Sequence, residues 1–342
     1  MTPLESLLKE KSPLTIAEFM RITMTHETYG YYTSQKPIGP EGDFTTAPEI
    51  SQLFGEMIGL WAANMWEQLD APPHLKWVEL GPGRGTLLQD ALRITRTIPG
   101  FQEALSFAFV EVNPDFQSHQ QHITPQANWY TTWQSCLDHL SKEGMPFILI
   151  ANEFLDTLPI HQYRSQNHAW YERHVEFKED AWTTIDIPTN PLPHQEDGIY
   201  EVCPEAQSLI QQLSEMLKTQ KGAALFIDYS YREGHGDSFQ ALFKGKPVSP
   251  LSHIGQADLT AHVDFGILKN LSPTAYGPLS QGDFLHNLGI AVWKEKLKAK
   301  SSLDKKAQIE AQYQRLTHPL QMGSLFKVMA LSHPTLQPAG FR

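Results

Sequence analysis

Trp77-Val78-Glu79-Leu80-Gly81-Pro82-Gly83-Arg84-Gly85-Thr86 is the stretch that decides how this chain is read. Trp77, Val78 and Leu80 make a short apolar strand that runs into three glycines at alternate positions. Leu87, Leu88, Ala91 and Leu92 follow at helical spacing. A strand, a glycine turn and a helix, in that order, is the setting in which a glycine motif implies a nucleotide-like ligand. Gly81 can take the turn, and Gly83 has no Cβ to hold a ligand away from the backbone.

The spacing narrows the ligand. It is Gly-x-Gly-x-Gly, one residue short of the dinucleotide pattern, and no Gly-Lys-Ser/Thr follows, which speaks against a P-loop. Glu79 lies two residues before Gly81, where a carboxylate repels an anion and holds a cation. S-adenosylmethionine (SAM) carries a sulfonium and an ammonium and no phosphate. The expected cofactor is therefore SAM, with Glu79, Gly81, Gly83 and Gly85 around it. A glycine-rich turn without any ligand is the plainer alternative.

Working outward, Ser106–Val112 reads as the second strand, with Glu111 near its end, thirty positions after Gly81. In Rossmann-like folds an acidic residue there accepts hydrogen bonds from ribose hydroxyls. The register with the glycine turn favours that role for Glu111 over an ordinary exposed glutamate. Residues 128–133 make a third strand, with Trp129 and Trp133 as packing or as a wall for an adenine. Phe147–Ala151 is a fourth strand, ended by Asn152, Glu153 and Asp156. In open α/β sheets ligands lie beyond the carboxyl ends of the strands, where strand order reverses. Glu153 and Asp156 are thus the candidate catalytic carboxylates, the alternative being a helix cap by Asp156 or Asn152. Ala223–Asp228 and Leu325–Leu331 complete the strands that can be read.

Upstream of the motif, Thr15 and Glu18 form a capping box for a short helix. The loop from Tyr29 to Glu49 is dense in glycine, proline and aromatics, the composition of a binding loop or lid. Gly42, Asp43 and Thr46 in it are candidate cofactor contacts, and Phe44 with the tyrosines would give apolar cover. Asp43 and Glu49 are reserve candidates for catalysis. Ile50, Leu53, Phe54, Met57, Ile58 and Trp61 form a helical stripe best read as core. Downstream, 160–164 and 170–177 alternate around Gln166-Asn167-His168 as a β-hairpin. A helical run from 281 to about 316 breaks near Gly289. His262 beside two aspartates, and His119 with His122, show no pattern that makes them more than polar residues.

The 342 residues are 41% hydrophobic and 19% charged, enough for one large or two ordinary domains. The formal charge of −11 argues against nucleic acid as the partner. Cys136 and Cys203 exclude a disulfide framework and a cysteine-rich zinc site, and no metal site is expected. No stretch is apolar enough for a membrane span, and the N-terminal residues resemble no leader. The expected compartment is a reducing, cytoplasmic one, or the mitochondrial matrix only if a transit peptide has been removed; the oligomeric state stays open.

The blocks taken together resemble the MidA family of SAM-dependent methyltransferases, whose mitochondrial members act as complex I assembly factors. The likeness rests on Gly30-Tyr31-Tyr32, on Gly42-Asp43-Phe44 with Thr46-Ala47-Pro48-Glu49, and on Glu79 to Thr86. It continues through Ala151 to Asp156, Ile227-Asp228-Tyr229, Asp258 to Phe265, and Met322-Gly323 with Leu325-Phe326-Lys327-Val328. It implies an α/β fold, a Rossmann-like seven-stranded sheet with an N-terminal helical cap and β-hairpin and helical insertions. On that reading 1–75 is the cap and lid, and 76–334 the methyltransferase domain, with insertions near 160–200 and 281–320. It also implies arginine methylation of the symmetric-dimethylating kind, on a protein substrate such as a respiratory complex I subunit. Two other classes stay open: a non-catalytic assembly factor built on this fold, and a dinucleotide oxidoreductase, which the short glycine spacing disfavours.

Overall fold

The computed structural model describes residues 1–34, 46–192, 196–230 and 236–341. They fall into two compact units. The larger gathers 46–154, 209–230 and 265–341; the smaller gathers 1–34, 155–208 and 236–264, apart from 193–195. A division at residue 75 does not coincide with these units, because the helix before it packs into the core of the larger one.

The larger unit is built on a seven-stranded sheet. Its strands are β1 (Leu75–Leu80), β2 (Leu105–Val110), β3 (Asn128–Tyr130), β4 (Phe147–Asn152), β5 (Gly222–Tyr229), β6 (Ala275–Ser280) and β7 (Phe326–Ser332). Their order across the sheet is β6-β7-β5-β4-β1-β2-β3. β1 to β5 run parallel, whereas β7 is antiparallel to both β5 and β6. β1 and β4 are neighbours although two strands intervene in sequence, so strand order reverses between them. All six residues of β1 are buried, as a parallel strand covered on both faces requires.

The helices that bear on the site are α1 (Ala47–Ile50), α2 (Gln52–Gln68), α3 (Thr86–Thr95), α4 (Pro114–Ile123), α5 (Ile290–Ala299) and α6 (Leu303–Thr317). The stripe on α2 is core as expected, with Leu53, Phe54, Met57, Ile58 and Trp61 all buried. What the stripe did not show is how closely α2 meets α3. A Cβ on Gly55 would lie 2.6 Å from Asp90 Cβ, and one on Gly59 would lie 2.7 Å from Ala91 Cα. Only glycine permits that approach.

The smaller unit begins with two helices, Pro3–Lys11 and Ile16–Thr25, each with a full capping box. The expected hairpin is part of a five-stranded antiparallel sheet. Ala169–Lys178 pairs with His161–Gln166, with Ala181–Pro188 and with Leu14–Thr15. Both tight turns have positive φ, at Asn167 and His168 and again at Glu179 and Asp180, the geometry that suits two-residue hairpin loops. A three-stranded sheet follows in 240–260. Tyr31, expected as apolar cover for a ligand, is instead fully buried in this unit's core.

Candidate functional site

The glycine turn sits at the C-terminal end of β1, beside the reversal of strand order. Gly81 and Gly85 have φ of +66° and +77°, values that cost an L side chain strain. Gly81 N–H donates to Val110 at the end of β2 (2.9 Å), and Gly85 N–H closes the turn on Pro82 (2.9 Å). The backbone at Gly81 is exposed, and Phe154 lies across it, 3.1 Å from where a Cβ would stand. Gly83 is buried.

Glu111 follows β2 directly and is 7% exposed. One carboxylate oxygen accepts from Asn113 N–H (2.9 Å) and the other from Gln120 Nε2 (3.3 Å). Burial pushes its carboxyl up to about 7, partly opposed by the amides of Asn113, Val112 and Gly83 and by the Gln120 side chain. The structure thus brings Glu111 to the glycine turn. Gln120, on α4 and fully buried, is the joint: Nε2 also donates to Gly83 O (2.7 Å), and Oε1 accepts from Trp129 Nε1 (2.8 Å). Sequence reasoning missed Gln120, since a glutamine inside a polar helix gives no signal. Trp129 also packs against Phe109.

Glu79 departs from expectation. It lies on β1 two residues after Trp77, on the same face, and is 3% exposed. Its carboxylate accepts from Trp77 Nε1 at 2.7 Å inside the core, and burial pushes it up to about 7. The strand alternation that places Val78 and Leu80 on one face sends Glu79 to the other. Its carboxylate is thus held inside the core against Trp77 and not at an open surface.

Beyond β4, Glu153 has φ of +50°, unusual for a glutamate. Several partners hold it there. Its N–H donates to Ile227 O (2.9 Å), and Oε1 accepts from Ala47 N–H (3.1 Å) and Asn152 Nδ2 (3.2 Å). The next amide, Phe154 N–H, is taken by fully buried Asp228 (3.2 Å). Asn152 Oδ1 is buried and has no partner among the described residues. Asp156 belongs to the smaller unit and is 3% exposed; its carbonyl accepts from Ala261 N–H (3.0 Å).

Thr46 is buried at the start of α1 and makes no side-chain cap bond there. Glu153 supplies the cap instead, through Ala47. Glu49, a reserve catalytic candidate, is occupied by Arg84 (3.2 Å) and Thr86 (2.5 Å). Gly42 and Asp43, and most of the expected lid, lie outside the described residues. His119 and His122 are exposed and turn their rings onto carbonyls of their own helix. No helix among the described residues is long and apolar enough to cross a membrane.

The residues present fit SAM. They offer a left-handed glycine backbone at the strand-order reversal, a carboxylate at the end of the neighbouring strand, and an orphaned buried acceptor, Asn152 Oδ1, at the end of β4. The comparisons agree. A family model described as S-adenosyl-L-methionine-dependent methyltransferase matches residues 57–282. The Drosophila melanogaster protein arginine methyltransferase NDUFAF7 homolog, mitochondrial, is 30% identical over 369 residues, 96% of this chain and 83% of that one. The Bos taurus protein arginine methyltransferase NDUFAF7, mitochondrial, is 32% identical over 365 residues, 95% of this chain and 81% of that one. A Burkholderia thailandensis structure bound to S-adenosyl-homocysteine shares the fold, with a TM-score of 0.82 and 22% identity over 98% of this chain and 93% of its own. These relatives correct one expectation: the curated ones are mitochondrial by name, which overturns the cytoplasmic reading. Two reduced cysteines suit any reducing compartment and could not single out the cytoplasm. The matching model and relatives cover most of the chain, and the chain belongs to this MidA-like family of SAM-dependent methyltransferases.

Proposed function

We propose that the chain methylates arginine on a protein partner, producing symmetric dimethylarginine, with a respiratory complex I subunit as the class of partner. One observation carries this reading: relatives named protein arginine methyltransferases match 95–96% of the chain. On the cofactor side, Gly81, Gly83 and Gly85 take the ligand against backbone, Glu111 the ribose diol, and Asn152 Oδ1 the ammonium. Gly42, Asp43 and Thr46 keep a cofactor-side assignment on sequence grounds.

SAM, when bound, supplies a methyl group already activated on a sulfonium. The difficulty lies with the acceptor. A guanidinium stays protonated in proteins, and its nitrogen lone pairs are delocalised. A carboxylate gripping one side of the planar fork fixes its orientation and draws positive charge toward itself. Glu153 has that role, and its strained, multiply tethered backbone supports it, since such strain gathers at active sites. Asp156 is its partner; its burial favours support over direct contact. An N–C bond forms as the S–C bond breaks, and the arginine nitrogen loses its proton to a carboxylate. The products are methylarginine and S-adenosylhomocysteine.

Glu153→Gln and Asp156→Asn test the roles, because they keep shape and remove charge. Each is expected to bind SAM as the parent does and to lose most methyl transfer to protein. Normal transfer by both variants would end this assignment.

A further inference from the structure

Beside the glycine turn, the larger unit holds a concave site. A cavity of about 420 Å³ opens between α1 and the first turn of α2 on one side and the end of α5 with α6 on the other. Much of its wall is neutral and hydrogen-bonding: Gln52, Gln308 and Gln312 supply side-chain amides. Ser51 Oγ donates to Gln312 Oε1 across it at 3.1 Å.

The charges in this cleft are uneven. Its two carboxylates are paired, Glu49 with Arg84 at 3.2 Å and Asp90 with Arg93 at 2.7 Å, the Arg93 guanidinium being shared with Glu56 at 3.1 Å. Its two lysines, Lys300 and Lys305, are exposed and have no ion pair among the described residues. Neighbouring Lys294 and Lys298 differ, since both are bound by Glu310 (3.0 and 2.8 Å). Helices α2 and α3 also begin in the lining, and helix N-termini favour negative charge. In a chain of formal charge −11, this is a locally positive cleft.

We propose that the cleft holds an acidic, extended segment of the substrate polypeptide, flanking the residue that is methylated. The proposal rests on the reading that the substrate is a protein. Two features favour a peptide over a compact phosphate. Each peptide unit brings one donor and one acceptor, matching the mixed donors and acceptors of glutamine side chains. A phosphate brings acceptors chiefly and offers no donor to the amide oxygens of Gln52 and Gln308. The cleft also adjoins the cofactor turn: Glu49 lines it while its carboxylate holds Arg84 and Thr86. A segment seated here would lie beside the transfer site.

The test uses the full chain saturated with S-adenosylhomocysteine and a short fluorescein-labelled peptide of aspartate, glutamate and glycine around one arginine. Fluorescence anisotropy reads binding. The wild type is expected to bind, and the Lys300→Glu, Lys305→Glu double variant to bind about tenfold more weakly or worse. Added salt should weaken the wild type more than the variant. S-adenosylhomocysteine affinity by calorimetry and the melting temperature should be unchanged in the variant. No binding by the wild type, equal binding by the variant, or equal binding of a peptide with glutamine in place of its acids would overturn the proposal. So would full displacement by inorganic pyrophosphate, which would mark a small-anion site. A companion peptide with lysine in place of arginine, and a parallel incubation of both peptides with S-adenosylmethionine in place of S-adenosylhomocysteine, separate the two readings. If it binds as well while neither peptide is methylated, the cleft stands and the arginine assignment falls.

Discussion

Glu49 clasps the cofactor turn through Arg84: Glu49 Oε2 lies 3.2 Å from Arg84 Nη1, and Oε1 takes the Thr86 hydroxyl at 2.5 Å. One side chain on α1 therefore grips both residues that flank Gly85. Two residues earlier on the same short helix, Ala47 N–H donates to Glu153 Oε1. Helix α1 thus ties the glycine turn of β1 to the carboxylate beyond β4. Arg84 is about a third exposed, so its ion pair is screened, and the hydroxyl bond carries more of the effect. Glu49→Gln should weaken SAM binding by about 1 kcal/mol, roughly fivefold. Calorimetry on Glu49→Gln, Arg84→Gln and the double variant checks this. Strictly additive losses would mean that the pair does not act together.

Glu111→Ala should weaken SAM by about 1.5–3 kcal/mol, the range for hydrogen bonds to a charged group, or roughly ten- to hundredfold. Glu111→Gln should weaken it less. A second signature is specific to the carboxylate. Without ligand its carboxyl sits at about 7, and two hydroxyl donors favour the ionised form. Binding near pH 6.5 should therefore release a proton, visible as a buffer-dependent heat in titration calorimetry. Unchanged affinity in both variants would move the ribose contact elsewhere.

Buried Glu79 gives the ligand-free protein a pH dependence of defined sign. Its folded value of about 7 lies above the ordinary 4.5. Below pH 4.5 both states are protonated and nothing is lost. Between 4.5 and 7 the unfolded chain ionises while the folded one keeps its proton, so stability falls as pH rises and levels off above 7. At about 1.4 kcal/mol per pH unit, the loss is on the order of 3 kcal/mol; Glu111 adds to it with the same sign. Glu79→Gln still accepts from Trp77 Nε1 and removes this slope. Urea unfolding at pH 5 and pH 8 should show the variant gaining on the parent at the higher pH only. A parallel offset at both would refute the linkage.

Gly55→Ala should destabilise the protein by about 1–3 kcal/mol, the cost of overpacking. The added methyl would meet Asp90 Cβ at 2.6 Å and Leu87 O at 2.9 Å. A lower urea midpoint with an unchanged slope is the expected result, whereas a neutral outcome would show that α2 and α3 can separate.

The elements legible in the sequence were the local ones. The β1–turn–α3 unit is fixed by spacing within a few residues, as are the Thr15–Glu18 capping box and the break at Gly289, where φ is +89°. What depends on distant partners was not legible. β6 at Ala275–Ser280 gains its identity from β7, and Leu14–Thr15 is a strand only because Val175 and His174 accept it. The Glu179-Asp180 turn carries no glycine to announce it. At the candidate site, the register with Gly81 pointed to Glu111, which the fold places beside the glycine turn through Gln120. The burial of Glu79 against Trp77 was not legible, because a motif does not say which face of a buried strand its acid takes. Gln120 and the Glu49 clasp became visible only when α4 and α1 were placed against the turn.

The central claim is that this chain transfers a methyl group from SAM to a protein arginine. Incubating it with isotopically labelled SAM and a lysate from cells lacking the protein, then locating the label by mass spectrometry, tests that most directly. Label is expected on arginine of a discrete protein band, as symmetric dimethylarginine, and is expected to be lost with Glu153→Gln. Label on lysine or glutamine, or no transfer by a protein that still binds S-adenosylhomocysteine, would contradict it.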